Sequence, residues 1–108
     1  MGRQAIVAGT GFEGRADIIR NYCRDGLHVE LRREPDNRHD PDAIAVYIET
    51  PGILGFGRRM RQIGYIKAPA ADKLAKRIDG GLQIAAFVSS FYAPPGRDHP
   101  RVSLTLEY

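Results

Sequence analysis

The stretch LHVELRREPDNRHDPDAIAVYI, residues 27–48, sets the architecture. Its first part alternates apolar Leu27, Val29 and Leu31 with His28, Glu30 and Arg32. Successive side chains of a strand point to opposite faces, so this pattern predicts a half-buried strand. Its last part alternates again, with Ile44, Val46 and Ile48 on one face and Tyr47 on the other. Between them, Pro35, Asp36, Asn37, Asp40 and Pro41 supply turn chemistry, because proline presets φ and short polar side chains bond the local backbone. Two strands so joined have no room for a crossover helix and pair antiparallel.

That hairpin bears on the segment before it. Residues 5–14, AIVAGTGFEG, run from an apolar strand into a G-x-G-x-x-G set at Gly9, Gly11 and Gly14, and a short helix is predicted over 15–23. With Glu30 and Glu34 about 20 residues beyond, this is the outline of a nucleotide-binding unit. Such a unit needs strands and helices to keep alternating, and residues 27–66 offer three strands and no crossover helix. The glycines are therefore read as a turn after the first strand, with Gly9 and Gly11 letting the backbone bend close to a ligand; nucleotide binding is kept as a minor alternative.

Further along, residues 51–61 are rich in glycine and arginine without a period and are read as a mobile basic loop before a strand at 63–66. Residues 69–79 form the principal helix: Pro69 stands in its first turn, Ala71, Leu74, Ala75 and Ile78 share a face, and Gly80 and Gly81 supply a left-handed end. Strands at 82–92 and 102–106 flank a turn-rich segment at 93–100. The expectation is a mainly β protein: a single domain over 1–108, a small closed or partly closed six-stranded barrel with one principal α-helix and one short one.

At 108 residues the chain is too small for a doubly wound sheet with a substrate domain. Sixteen Lys and Arg against 13 Asp and Glu give a formal charge of +3, which favours a polyanionic partner. Cys23 is the single cysteine, so no internal disulfide forms; it reads as a small core residue in a reducing compartment. No apolar run of 18 residues and no signal-peptide pattern are present, and the expectation is a cytoplasmic protein, nucleoid-associated if bacterial, with no membrane partner.

Two rival chemistries have some footing. Asp36, His39, Asp40 and Asp42 crowd into seven residues, and oxygen with imidazole suits a divalent metal, the outline of a metal-dependent nuclease. No second acidic or histidine cluster completes that site, His99 reads as loop, and the expectation is no catalysis and no cofactor. A protein-interaction barrel, binding a partner along the exposed edge of the last strand, is the other rival.

LRREPDNRHDPDAIAV at 31–46, IGYIKAPAADKLAKRIDGG at 63–81 and the first strand with its Gly-Thr and aromatic, Val7 to Phe12, together resemble the HIRAN domain. The resemblance implies an OB-like barrel that binds single-stranded DNA and captures a 3′-hydroxyl end. On that pattern Phe12 stacks on the terminal base, Asp40 receives the hydroxyl, and Tyr65 and Lys67 meet the phosphates. Arg38 stands where proline is usual and His39 where a base-contacting tyrosine is usual, so end specificity transfers less readily than DNA binding.

A carboxylate suits a strand end. Two like charges 4 Å apart cost about 4 kcal/mol at an effective dielectric of 20, so an acid repels a continuous phosphate chain and accepts a free hydroxyl. Basic side chains must then draw in upstream phosphates, and Arg32, Arg38, Arg58, Arg59, Arg61 and Lys67 are the candidates, with Asn37 in the turn beside them. Phe12, Tyr65 and Tyr92 offer stacking faces. The implied partners are single-stranded DNA 3′ ends and a helicase, translocase or nuclease on another chain.

Overall fold

The structure is a computed structural model that describes residues 3–96 and 99–108. Six strands close into a barrel: β1 (Arg3–Ala8), β2 (His28–Arg33), β3 (Ile44–Pro51), β4 (Arg58–Ile66), β5 (Ala85–Tyr92) and β6 (Arg101–Glu107), in the order β1-β4-β3-β2-β5-β6. Helix α1 (Arg15–Tyr22) follows β1, helix α2 (Ala70–Asp79) follows β4, and a 3-10 turn (Ile53–Gly55) lies between β3 and β4. All strand pairs are antiparallel, as the 27–48 hairpin requires, with Leu31 opposite Val46 and Arg33 opposite Ile44.

Alternation supplies the core. Ile44, Val46, Ile48, Ile63, Val88, Val102 and Leu104 point inward and are buried. Ile18, Ile19 and Cys23 of the α1 region join this core, and α2 packs Ala71, Leu74 and Ala75 against the same cluster. These residues follow the 3.6-residue helical period, which puts one stripe on the core.

Closure depends on two irregularities. The β3–β4 register shifts between Val46 and Tyr47, so Val46 faces Gly64 and Tyr47 faces Gln62, with Ile63 as the extra residue. A bulge bends its strand, and here it turns the end of β4 toward β1, where Val7 meets Ile66 and Ala8 meets Tyr65. The second shift, between Val88 and Ser90, bends β5 along β6.

Several sequence expectations need correction. Residues 58–61 are not loop: β4 begins at Arg58, and the connection shrinks to 52–57, because pairing with β3 fixes a segment that has no apolar period of its own. The fifth strand starts at Ala85 rather than 82. Pro69 caps α2 from outside its first turn after a cis Ala68–Pro69 bond, and the left-handed residue at its far end is Gly81 (φ 104°), not Gly80 (φ −83°). The last strand has no free edge, since β6 lies between β1 and β5. Residues 97 and 98 of the turn-rich segment lie outside the described residues.

Candidate nucleic-acid interface

Strand pairing brings the ends of β1, β2 and β4 together at one end of the barrel. Tyr65 of β4 faces Ala8, the last residue of β1, on one side and Ala45, near the start of β3, on the other. The glycine turn and the 34–43 turn therefore border the same residue.

The glycine turn is built by an arginine that no sequence motif marks. Arg15 is buried; its Nη1 donates to the Gly9 carbonyl at 2.9 Å and its guanidinium lies 5.6 Å from the Tyr65 ring centroid. Gly9 is left-handed (φ 72°), and a Cβ there would come within 3.2 Å of Arg15 Nη1. This glycine makes room for a guanidinium, not for a pyrophosphate. Gly11 has no left-handed backbone. The G-x-G-x-x-G reading also lacks its parallel unit, because the strand after α1 pairs with β3 and β5 and never with β1. Thr10 Oγ1 donates to the Pro100 carbonyl, which pins the turn to the start of β6. Phe12 projects from this fixed turn with 64% of its surface exposed, so it is not a core aromatic.

The 34–43 turn is equally fixed. Asn37 Oδ1 accepts the backbone N–H groups of His39 (2.9 Å) and Asp40 (3.1 Å), and Asp40 Oδ1 accepts the N–H of Asp42 (2.8 Å). Each is a polar side chain standing in for a backbone partner. Glu34 then ties the turn to β4: one of its oxygens accepts from Asn37 Nδ2 (3.0 Å) and from the Tyr65 hydroxyl (2.9 Å). Arg15, Tyr65, Glu34, Asn37 and Asp40 form one chain of contacts between the two turns. Tyr65 is thus half-buried and engaged at its hydroxyl and its ring. Arg38 and His39 are exposed at the tip of the turn.

Asp40 has acidic company. Carboxylate oxygens of Asp40, Asp42 and Asp72, the last from the first turn of α2, lie within 4.8 Å of one another. Asp36 and His39, part of the nuclease outline in the sequence, are not in this group. Arg33 sits close by, its guanidinium held by both oxygens of Asp79 at 2.9 and 3.0 Å and by the Ala43 carbonyl at 2.8 Å.

The basic candidates divide. Lys67 lies two residues beyond Tyr65, its N–H bonded to the Ile6 carbonyl, with its side chain exposed. Arg32 lies on β2 with its guanidinium 4.1 Å from the Tyr47 ring centroid and ion-paired to Glu30. Arg61 is four strand residues from Tyr65 and Arg58 seven, about 13 and 23 Å at the usual rise, so Arg58 and Arg59 stand at the far end of the β3–β4 hairpin. They flank a tip that exposes Ile53, Leu54 and Phe56. Tyr92 is exposed at the end of β5. No described helix is long and apolar enough to cross a membrane.

The fold has solved counterparts. A Lactobacillus plantarum protein superposes with a TM-score of 0.71 at 21% identity, over 100% of this chain and 96% of that one. The HIRAN domain of human HLTF superposes with a TM-score of 0.62 at 24% identity, over 97% and 74%. No curated protein sequence matches the chain. The model of one family, the HIRAN domain, matches residues 4–106, nearly the whole barrel and both turns that meet at Tyr65, and the chain therefore belongs to the HIRAN family of DNA-binding modules.

Proposed function

We propose that this domain binds single-stranded DNA at its 3′-hydroxyl end, without catalysis, and serves a repair, replication or strand-processing step carried out by a helicase, translocase or nuclease on another chain. The observation that carries the reading is the fixed meeting of the two turns: an exposed Phe12 on one, Asp40 on the other, tied through Arg15, Tyr65, Glu34 and Asn37. An aromatic and an acceptor each carried on a hydrogen-bonded turn lose little backbone freedom on binding. Phe12 stacks on the last base, and Asp40 accepts the terminal hydroxyl through the oxygen that Asp42 leaves free.

Asp42 and Asp72 sharpen the choice. Three carboxylates within 4.8 Å repel any phosphate that approaches, while a hydroxyl donates into them. Lys67 receives the first phosphate upstream. Arg38 and His39, at the exposed tip, add charge and a second stacking face.

The test compares the affinity of one oligonucleotide ending in a 3′-hydroxyl with the same strand ending in a 3′-phosphate. The hydroxyl end binds tighter, and Asp40→Asn narrows the gap. Phe12→Ala weakens the hydroxyl-ended strand by about 1–3 kcal/mol, the worth of one stacked base. Equal affinity for the two ends in the native protein sinks end capture.

A further inference from the structure

Helix α2 has two chemically different flanks. Asp72 and Asp79 lie toward the 34–43 turn and Arg33. On the other side, where the helix crosses β1 and β6, there is a cleft of about 450 Å³ whose charged lining residues are Arg3, Lys73 and Arg77. Among the described residues, no Asp or Glu side chain lines it. Lys73 and Arg77 are one helical turn apart and so share a flank.

Two of the cations pack on one ring. The Arg3 and Arg77 guanidinium carbons lie 5.0 and 4.9 Å from the centroid of the Tyr108 ring, so they are within about 10 Å of each other. Like charges gathered with no acidic side chain among the described lining residues are an arrangement that an anion relieves. A guanidinium packed on a ring keeps N–H donors at its rim, the geometry that suits a phosphate. Pro69, Ala70 and the Tyr108 ring line the cleft above the buried Leu74 and Leu106, giving it an apolar wall that inorganic phosphate would not use.

We propose that this cleft is a second anion site, separate from the strand-end site, that takes a phosphate ester with its organic portion against Pro69, Ala70 and Tyr108. The shared chemistry is the phosphate, carried by a free nucleotide or by a DNA strand, and the experiment distinguishes the sources.

Amide spectra of the ¹⁵N-labelled protein are followed during titration with ATP and, separately, with an oligothymidylate carrying a 3′-phosphate, a strand that the Asp40 turn disfavours. Shifts at residues 70–77 and 106–108 are expected with ATP if the source is free nucleotide, and with the oligonucleotide if it is a strand. Lys73→Glu combined with Arg77→Glu lowers the affinity about tenfold or more, the loss of charge-assisted contacts, with an unchanged melting temperature. Lys73→Arg retains binding. Absence of shifts in the cleft with either probe at millimolar concentration, or full affinity in the charge-reversed variant, overturns the proposal. Phe12→Ala leaves the ATP response intact, so failure of the strand-end reading and failure of this one are separately visible.

Discussion

Among single residues, Tyr65 is the position on which both turns depend. Its hydroxyl donates to a Glu34 oxygen that also takes Asn37 Nδ2, and its ring carries Arg15. Tyr65→Phe keeps the ring and removes the donor, leaving a partly buried carboxylate one bond short. The expected loss is about 1–2 kcal/mol in urea unfolding, accompanied by weaker discrimination between 3′-hydroxyl and 3′-phosphate ends as the Asp40 turn loosens. Cys23 makes a different prediction. Burial pushes its thiol up to about 11, so the native protein does not react with a thiol reagent at pH 8 and the denatured protein does. The folded state holds this proton more tightly than the unfolded one. The resulting stability is complete below about pH 9 and is lost as pH rises toward 11, and Cys23→Ala removes that part of the alkaline decline.

Among the secondary-structure elements, α2 is attached to the β2–β3 hairpin by the Arg33–Asp79 pair. Hydrogen bonding from Arg33 holds the Asp79 carboxyl below the ordinary carboxylate range. The unfolded chain therefore takes up the proton first, and the pair stabilises the fold above the ordinary pKa near 4 and fades as pH falls through the lowered one. Asp79→Asn should flatten this acid limb of a stability-versus-pH curve and change little else, because the carboxylate is exposed and the pair is screened by salt. Elements also show where sequence reading reaches its limit. The 27–48 hairpin and α2 announce themselves through periods of 2 and 3.6, whereas the first residues of β4, Arg58 to Arg61, carry no such period. They are a strand because β3 offers partners from Ile48 to Pro51.

For the molecule as a whole, the barrel closes through a short β1–β4 contact that has Gly64 beside it. A Cβ on Gly64 would stand 2.3 Å from the Ala8 carbonyl oxygen and 2.6 Å from Val7 Cγ1. Gly64→Ala must push β1 away and open the barrel at the seam next to Tyr65. The expected cost is about 1–3 kcal/mol or more, read as a lower melting temperature, with faster amide exchange concentrated at residues 5–8 and 63–66. Gly14 is a contrast: a Cβ there would have no atom within 4 Å, so a substitution meets only the strain of its left-handed φ of 75°.

Local order is legible in the chain alone: alternation, turn chemistry and helical faces specify six strands, two helices and an antiparallel order, because each depends on neighbours a few residues away. Phe12 and Asp40 are marked in the chain by the resemblance to the HIRAN domain and by no period of their own. What lies next to what was settled by the folded barrel and by nothing shorter. Arg15 reaches Gly9 and Tyr65, Asp72 joins Asp40, and Arg58 and Arg59 end far from both turns. These relations arise from the bulge in β4 and the closure of the barrel, which join residues far apart in the chain through packing that no local period records.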